Sequence, residues 1–346
     1  MLTSWEDRCV LITGACGFVG ANLSRVLIDH GATVIGCDRA GSSPSLRALF
    51  GGVIHPFVVL GDVTDLNDML SLVDQVRPDV IYHLAGQGHI KDAQEEPWPA
   101  FHVNVMGTVA VLEAVRRIKP DTVVVCASSN HAYVGGPQPA FGPFLCKSLR
   151  DDESGTSGYP EANPLNGNDV YGASKAMGDR AVACYRHSLG LRTAAVRHVN
   201  AYGPGDPHAT HLVIQSILAC LSGAVPTLRG YGSAVKGYLH IADVVSAYLM
   251  IADRVDEVPG HAVNVTDPMS EASVLTIMRI VCAVAGLDPD RVYPAPESSS
   301  DQEGYEERLD ASLMESFGWR PRFNLHTGIA DTMAWYRTHR WMAWLV

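Results

Sequence analysis

The sequence predicts an α/β fold in which helices cover both faces of a doubly wound parallel sheet, with a smaller α/β lobe after it. Two observations predict the sheet. Apolar runs of strand length alternate with stretches of helical periodicity, and these runs are continuous, which indicates strands buried on both faces. A third observation predicts the lobe, since the composition changes in the second half of a chain of 346 residues, which is long enough for both.

The elements of the first half follow in order along the chain. Predicted strands cover residues 9–13, 33–37, 58–60, 80–84 and 122–127, and predicted helices cover 19–29, 66–76 and 103–118. Residues 134–168 are rich in Gly, Pro and Ser, which predicts a long loop, and loops of that length are usually functional. A helix over 171–189, a strand over 191–196 and a terminal helix over 325–339 are predicted beyond it.

Composition and charge restrict the possible functions. Hydrophobic residues make up 47% and charged residues 18% of the chain, which favours a large buried core over disorder. The net charge of −11 argues against nucleic acid and against an anionic membrane as partners. The first residues lack the pattern of a signal peptide, and no apolar run approaches the roughly 18 residues of a membrane span.

Cysteine and histidine spacing gives two further expectations. The eight cysteines are scattered and form no CxxC pair, which is typical of free thiols in a reducing compartment, so we expect a cytoplasmic protein. The sequence contains neither an HExxH motif nor a Cys/His cluster with the spacing of metal ligands, so we expect no metal site.

A glycine motif lies where the first predicted strand meets the first predicted helix. Gly14, Gly17 and Gly20 are spaced by two residues each, and Phe18 and Val19 open the helix. The first glycine permits a tight turn, the second lets the backbone approach a pyrophosphate, and the third lets helix and strand pack closely. The helix N-terminus adds free N–H groups and a partial positive charge. The motif predicts a dinucleotide site in a Rossmann-type domain.

Acidic residues after the second and third strands fit the same ligand. Asp38 lies 18 residues after Gly20, where a carboxylate can accept from the hydroxyls of an adenosine ribose. It would also repel a 2′-phosphate, which favours NAD over NADP, although Arg39 beside it partly offsets that preference. Asp62 and Val63 are placed to meet the adenine. Asp62 fits equally well as the cap of the next helix, and both interpretations stay open.

A second constellation predicts acid–base chemistry. Tyr171 and Lys175 are four residues apart on a predicted helix and therefore share a face. An ammonium beside a phenol stabilises the phenolate and lowers a pKa of about 10, which gives a base for a sugar hydroxyl. Ser128 and Ser129 directly follow an apolar strand, at the edge where parallel sheets bind ligands. Each feature alone also fits an ordinary helix or turn, so they count as a set.

These motifs resemble those of the extended short-chain dehydrogenases/reductases, in the nucleotide-sugar epimerase/dehydratase family. The resemblance runs nearly end to end and includes several further stretches. They are His83-Leu84-Ala85-Gly86, Asn104-Val105-Met106-Gly107-Thr108, Arg197-His198-Val199-Asn200-Ala201-Tyr202-Gly203-Pro204-Gly205, Tyr238-Leu239-His240-Ile241-Ala242-Asp243-Val244 and Phe317-Gly318-Trp319-Arg320-Pro321. Residues 43–46, 163–169 and 307–312 resemble CDP-glucose 4,6-dehydratases most closely, whereas residues 77–87 are equally similar to GDP-sugar reductases.

The resemblance implies NAD as cofactor, a nucleotide-diphosphate sugar as substrate and a definite first step. Tyr171 would deprotonate the sugar 4-hydroxyl, Ser129 would hydrogen-bond it and Lys175 would support the phenolate. C4 would pass a hydride to NAD and leave a transient 4-keto sugar. In dehydratases of this family the two positions after the Ser129 position usually carry an acid and a base. In this sequence these positions are Asn130 and His131. His131 fits either a base or a polar loop residue, whereas asparagine cannot donate a proton, so 4,6-dehydration and 4-epimerisation both stay open.

The resemblance also implies binding residues and a division of the chain. Further cofactor contacts are Leu84, Ala85, Gly86, Asn104 and His198, and further substrate contacts are Gln87, Asn200, His211, Lys236 and Arg308. Lys236 replaces a usual arginine, so it keeps the charge and loses the bidentate geometry. Gln87 and His211 fit surface positions equally well. We assign residues 1–202 to an NAD-binding domain with the catalytic helix, and residues 203–346 mainly to a substrate lobe with segments that cross back.

Three functions remain after this reasoning. The first is a redox-neutral epimerase or dehydratase that recycles its NAD, and the second is a net oxidoreductase that exchanges hydride with free NAD(P). The third is a non-catalytic dinucleotide-binding sensor, which the joint presence of Ser129, Tyr171 and Lys175 disfavours. Relatives usually assemble through the helices over 103–118 and 171–189, so we expect a homodimer. Apolar side chains on the first of these helices fit either an interface or the core: Val105, Val109, Leu112 and Val115.

Overall fold

The structure, a computed structural model, describes residues 4–51, 57–133, 158–228, 232–292, 306–339 and 341–342. Residues 134–157 of the predicted long loop lie outside these ranges. The remainder, residues 158–168, is irregular chain joined by an isolated bridge between Tyr159 and Leu309.

The described residues form two sheets. Their strands are β1 (Cys9–Thr13), β2 (Thr33–Asp38), β3 (Val58–Leu60), β4 (Val80–His83), β5 (Val123–Ala127), β6 (Thr193–His198), β7 (Asn200–Tyr202), β8 (Val235–His240), β9 (Ala262–Val265), β10 (Glu271–Ser273) and β11 (Glu306–Glu307). The large sheet has seven parallel strands in the order β3-β2-β1-β4-β5-β6-β9. The chain starts in the middle of the sheet and winds towards both edges, which confirms the predicted fold class.

The apolar runs of the sequence became strands that are largely buried on both faces, except for the edge strand β3, whose Val59 and Leu60 are exposed. In β1, Val10 and Ile12 pack into one core cluster, whereas Leu11 between them packs into another on the opposite face of the sheet. All three side chains are at most 1% exposed. Because successive side chains of a strand point to opposite faces, burial of neighbours requires helices on both sides of the sheet.

The helices of the described residues agree with the predicted ones to within one or two residues where both exist. They are α1 (Phe18–Asp29), α2 (Pro44–Leu49), α3 (Leu66–Val76), α4 (Ile90–Glu95), α5 (Pro97–Phe101), α6 (Thr108–Ile118), α7 (Val170–His187), α8 (Leu212–Leu221), α9 (Ile241–Asp253), α10 (Val274–Ala285), α11 (Ser312–Ser316) and α12 (Leu325–Thr338). Among the described helices, none is long and apolar enough to cross a membrane.

One predicted helix has a different start. The helical pattern over 103–118 begins as a π-helix, His102–Gly107, and continues as α6. Thr108 Oγ1 donates to the carbonyl oxygen of Asn104 across this junction at 2.8 Å. Such π segments often occur at functional sites, and this one places the Asn104 side chain beside α7.

The second half of the chain builds a smaller sheet and also returns to the large one. Strand β8 pairs with β7, β10 and β11, and α8, α10 and α12 contribute to a separate hydrophobic cluster beside them. Strand β9 forms the edge of the large sheet next to β6, and α9 packs against α1. The carboxyl ends of β1, β4, β5 and β6 therefore open towards β7 and the segment after it.

Candidate active site

The glycine motif forms a turn that leaves no room for side chains. Gly14 has a φ of +71°, and a Cβ atom on it would lie 2.6 Å from the backbone nitrogen of Ala85. A Cβ atom on Gly20 would lie 2.2 Å from the carbonyl oxygen of Gly14, whereas Gly17 between them is exposed. The turn packs against the Leu84–Ala85 backbone at the end of β4 and leads into the first turn of α1. The predicted residues Phe18 and Val19 lie there, half-buried.

Two aspartates flank this turn in different roles. The Asp38 carboxylate ends β2 and accepts from the backbone nitrogens of Cys16 at 3.0 Å and Ala40 at 3.2 Å, while the residue stays partly exposed. Asp62 accepts from the backbone nitrogen and the hydroxyl of Thr64, and the backbone hydrogen bond lowers the pKa of its carboxyl. Its interpretation as a helix cap is wrong, because Asp65 caps α3.

These residues fit a dinucleotide. Because the turn at Gly14 and Gly20 is free of side chains, backbone N–H groups at the start of α1 are accessible to a phosphate. The partly exposed Asp38 carboxylate retains lone pairs for ribose hydroxyls, and Arg39 beside it is exposed. Val63 is buried next to Gly107, at which a Cβ atom would lie 2.9 Å from the Val63 side chain.

Lys175 is a buried cation on the helix face that also carries Tyr171. Its Nζ donates to the carbonyl oxygen of Ala127 at 3.2 Å, and the residue is 9% exposed. Burial lowers the pKa of its ammonium to about 8. A Cβ atom on Gly86 would lie 3.1 Å from Lys175 Nζ and 2.8 Å from Asn104 Oδ1, so Gly86 lets the chain after β4 approach the ammonium.

Asn104 and His198 surround this ammonium. The Asn104 amide accepts from the Gln87 nitrogen at 2.9 Å and donates to the Gln87 carbonyl and to Ser174 Oγ. Both of its N–H donors are therefore used inside the protein, and its oxygen keeps one lone pair for a further partner. His198 ends β6 half-buried, and burial, with a smaller contribution from Lys175, lowers the pKa of its imidazole.

Tyr171 lies in the first turn of α7, beside the turn that carries the other predicted catalytic residues. Asp169 caps the helix by accepting from the Gly172 nitrogen at 2.8 Å. Ser129 caps the 3-10 turn Asn130–Ala132, and a Cβ atom on Gly172 would lie 2.6 Å from the His131 carbonyl oxygen.

One side chain of this turn, His131, contacts the Tyr171 ring. The ring centroids of His131 and Tyr171 are 5.7 Å apart, edge to face. Ser129 and Asn130 are buried at 5% and 7% exposure, and Ser129 Oγ lies 3.3 Å from Asn130 Oδ1. The structure therefore brings the five predicted catalytic residues together: Ser129, Asn130, His131, Tyr171 and Lys175.

Two of the predicted substrate residues meet in a cluster of histidines that the sequence did not indicate. Gln87 Oε1 accepts from the His89 nitrogen at 2.7 Å, and the His89 ring contacts His208 and His211 at centroid distances of 4.2 and 5.3 Å. Buried Asp206 accepts from His211 Nδ1 at 2.8 Å. Burial lowers the pKa of His211, but the bond to Asp206 outweighs it, so the pKa lies above its ordinary value.

The other predicted substrate residues lie on the smaller sheet. Asn200 Nδ2 donates to the carbonyl oxygen of Gly237 at 3.1 Å, next to Lys236 on β8. Arg308 follows β11, whose last residue lies opposite Lys236 in register. Its guanidinium is 3.3 Å from a carboxylate oxygen of the largely buried Glu271. Within the described residues, no group of three or more His, Cys, Asp or Glu side chains is arranged to hold a metal ion.

The structure adds a buried ion pair that the sequence analysis missed. Asp179, one turn after Lys175, accepts from Arg197 Nε at 2.8 Å and from a terminal nitrogen at 2.7 Å. It also accepts from Ser128 Oγ at 2.7 Å and contacts His261 Nε2 at 2.8 Å. The spacing of Asp179 from Lys175 was available in the sequence, but its partners come from distant strands.

Comparison with known proteins agrees with this geometry. The model of the NAD-dependent epimerase/dehydratase family matches residues 10–266. The dTDP-glucose 4,6-dehydratase of Xanthomonas campestris is 30% identical over 351 residues, covering 95% of this chain and 93% of that protein. The CDP-paratose 2-epimerase of Salmonella typhi is 28% identical over 338 residues, covering 94% and 98%. The structure of the Thermus thermophilus UDP-glucose 4-epimerase complex with NAD superposes with a TM-score of 0.75 at 26% identity, covering 95% and 98%.

Proposed function

The chain belongs to the NAD-dependent epimerase/dehydratase family, and from that premise we propose that it oxidises C4 of the hexose in a nucleotide-diphosphate sugar and rebuilds the sugar before release. One observation carries this proposal. Tyr171 and Lys175 share a face of α7, and the turn that begins at Ser129 packs on the N-terminal end of that helix. Lys175 in turn approaches Gly86, next to the Leu84–Ala85 backbone that lines the glycine turn.

The protein residues supply the acid–base part of this step. Tyr171 takes the proton of the 4-hydroxyl as a phenolate, which the ammonium of Lys175 stabilises because the buried Lys175 charge is only weakly screened by water. The Ser129 hydroxyl hydrogen-bonds the same sugar oxygen and orients it towards Tyr171. NAD, when bound along the glycine turn, supplies the hydride acceptor and donor. General acid–base catalysis of this kind contributes about 10²- to 10⁴-fold in rate.

For the second half of the reaction we favour inversion at C4 over loss of water. Elimination of the 6-hydroxyl requires a proton donor beside a base. Asn130 is 7% exposed and lies 3.3 Å from Ser129 Oγ, and its amide has no acidic proton. Inversion needs neither group, because the keto sugar turns over and takes the hydride back on its other face.

A net oxidoreductase is the second candidate function. The same observation supports it, since a site with Asn130 and His131 lacks a carboxylic acid pair for elimination but retains Ser129, Tyr171 and Lys175. The two candidates differ in how the cofactor behaves. A redox-neutral enzyme keeps its NAD through each turnover, whereas a net oxidoreductase consumes added NAD(P) in proportion to product.

Positive charge on and beside the smaller sheet supports a substrate that carries a diphosphate, which remains attached to the sugar throughout the reaction. Arg308 directly follows Glu307, which lies opposite Lys236 in register, and Asn200 donates to the neighbouring Gly237. Glu271 beside Arg308 neutralises part of this charge in the absence of ligand. A phosphate group would compete with that carboxylate for the guanidinium, so the pocket favours a dianionic or trianionic group over a neutral sugar.

We also propose that the active protein is a homodimer. The π-helix and α7 pack against each other, and each presents a half-exposed methionine, Met106 at 50% and Met177 at 51%. Trp98 on α5, which also packs against α7, is 76% exposed. Exposed apolar side chains that lie together favour association with another protein surface.

Anaerobic incubation with UDP-, CDP-, GDP- and dTDP-hexoses, read by mass spectrometry and proton NMR, tests the proposed reaction. An unchanged mass with an inverted C4 coupling pattern supports epimerisation. Loss of one water with a 4-keto product supports dehydration and contradicts our preference. Consumption of added NAD(P) identifies the oxidoreductase, and retention of NAD without any turnover identifies a sensor.

A further inference from the structure

Beyond the reacting groups, the buried ion pair of Asp179 and Arg197 holds both ends of the catalytic turn. We propose that these two residues are positioning residues that fix Ser129 relative to Tyr171. This inference rests on the proposed function, because it assumes that these two side chains act on one sugar oxygen. The pair itself is remote from solvent, with side-chain exposures of 0% and 1%.

The first line of support is a match in spacing between α7 and the end of β5. Tyr171, Lys175 and Asp179 are four residues apart and therefore line one face of the helix. Lys175 Nζ donates to the carbonyl oxygen of Ala127, and Asp179 Oδ2 accepts from Ser128 Oγ at 2.7 Å. The helix thus contacts consecutive residues at the strand end, and Ser129 is the next residue along the chain.

The second line of support lies at the other end of the turn. Arg197 donates to the Tyr133 hydroxyl at 2.5 Å and stacks over its ring at 4.7 Å. Tyr133 directly follows the turn Asn130–Ala132, and its hydroxyl donates to Asn264 Oδ1 at 2.9 Å. The turn is therefore held at both ends. Ser128 before it hydrogen-bonds Asp179, and Tyr133 after it hydrogen-bonds Arg197. The bidentate ion pair joins Asp179 to Arg197.

The pair is well suited to fix a distance. Burial raises the pKa of the Asp179 carboxyl, but hydrogen bonds from Arg197 and His261 outweigh it and hold the pKa well below its usual range. Asp179 accepts from three different side chains, so its carboxylate has little freedom to rotate. Bidentate arginine–carboxylate pairs are strongly directional. Buried ion pairs in general stabilise folds little compared with apolar side chains of equal volume. We therefore infer that the benefit of this pair is the fixed position of the groups that it binds.

Ser128→Ala tests the inference because it removes the hydrogen bond from Ser128 to Asp179 and leaves the ion pair with its other partners. We expect kcat to fall about 10- to 100-fold, since misplacement of reacting groups by about 1 Å can cost 10²-fold, with KM and bound NAD unchanged. Ser128→Thr keeps the hydroxyl and should restore kcat to within about threefold of wild type. Ser128 lines a small cavity together with Lys175 and Asp179.

Ser216→Ala is the matched control. Ser216 is also fully buried, and its hydroxyl donates to the Leu212 carbonyl oxygen at 2.7 Å on α8, in the separate cluster of the smaller sheet. It removes a buried hydroxyl group that is remote from the site and should leave kcat unchanged. A Ser128→Ala protein with wild-type kcat, or with a loss that Ser216→Ala reproduces, would overturn the inference.

Crystal structures of the wild type and of Ser128→Ala, both with NAD, decide the matter without a substrate. We expect the distance from Ser129 Oγ to the Tyr171 hydroxyl to change by about 1 Å while α7 stays in place. An unchanged distance contradicts the positioning role. If the wild type turns over no nucleotide sugar, the proposed function fails, and this distance alone still supports or overturns the inference.

Discussion

At the residue scale, the proposed chemistry depends on one hydroxyl. Tyr171→Phe removes the proton acceptor and keeps the ring that packs against His131. We expect the rate of bound-NAD reduction by substrate to fall about 10²- to 10⁴-fold, with little change in stability. Single-turnover absorbance of the reduced nicotinamide measures it. Tyr185→Phe on the same helix, whose hydroxyl contacts Glu113, is the control and should react at the wild-type rate.

His131 gives the residue-scale prediction that separates inversion from dehydration. His131→Phe keeps an aromatic edge against Tyr171 and removes every proton-transfer function of the ring. Because inversion needs no second base, we expect kcat within about tenfold of wild type. A loss of about 10²-fold or more, with reduced NAD accumulating on the enzyme, would instead identify His131 as the base for C5 and favour dehydration.

The sequence predicted Tyr171, Lys175 and Ser129 because their roles depend on short spacings and on the end of one strand. The roles of Asp179 and Arg197 depend on the adjacency of β5, β6 and α7, which no spacing along the chain encodes. For the same reason the sequence did not predict the contact between His89 and His208. They meet only because the segments after β4 and β7 fold together. Buried polar residues with distant partners are the part of a site that a single sequence hides.

At the element scale, the glycine turn gives a packing prediction. In Gly20→Ala the new Cβ atom would lie 2.2 Å from the Gly14 carbonyl oxygen, so α1 has to move away from β1. We expect the free energy of unfolding to fall by about 1–3 kcal/mol. We also expect the variant to lose most of its bound NAD, which is measured as the nucleotide released when the protein is denatured by heat. In Gly260→Ala the Cβ atom meets nothing within 4 Å. That variant should retain its NAD.

The end of β4 gives a prediction on pH. The His83 ring joins Thr13 of β1 and Thr108 of α6, and burial, with a smaller contribution from Lys175, lowers its pKa to about 3. Between this value and an unfolded pKa near 6.5, the unfolded chain binds the extra proton, so stability falls as the pH falls through that window.

We therefore expect the wild type to lose stability from pH 7 to pH 4 more steeply than His83→Asn, which cannot titrate. Thermal unfolding midpoints at each pH measure the difference. His187→Asn changes an exposed histidine at the end of α7 and should keep the wild-type slope. Parallel slopes for wild type and His83→Asn would show that His83 is not buried as a neutral ring.

Elements with a clear period were predicted almost residue by residue, since burial on both faces of a sheet or along one helix stripe leaves a strong pattern. The predicted helix over 66–76 is α3, and the predicted strand over 9–13 is β1. The π-helix His102–Gly107 was not predicted, because one extra residue per turn leaves the apolar pattern nearly unchanged. The pairing of β9 with β6 is a long-range choice that local periodicity does not contain.

At the scale of the whole molecule, the proposed homodimer implies an interface on one exposed apolar surface. The surface formed by α5, the π-helix and α7 exposes three large apolar side chains, Trp98, Met106 and Met177, with exposures of 50% or more. Leaving such groups in water is unfavourable by about 25 cal/mol for each Å² of apolar area. Because α7 also carries Tyr171 and Lys175, a partner chain on this face would support the catalytic helix from outside.

We therefore expect the wild type to sediment as a dimer, and the double variant Met106→Glu/Met177→Glu as a folded monomer. Two carboxylates on each subunit would be desolvated in the interface, which costs several kcal/mol and raises the dimer dissociation constant at least about 10²-fold. Met269→Glu is the control. Met269 is 84% exposed beside β10, far along the chain from these helices, and its variant should remain dimeric. A monomeric wild type, or a double variant that stays dimeric, would contradict this interface. A monomer with full kcat would show that association is separate from catalysis.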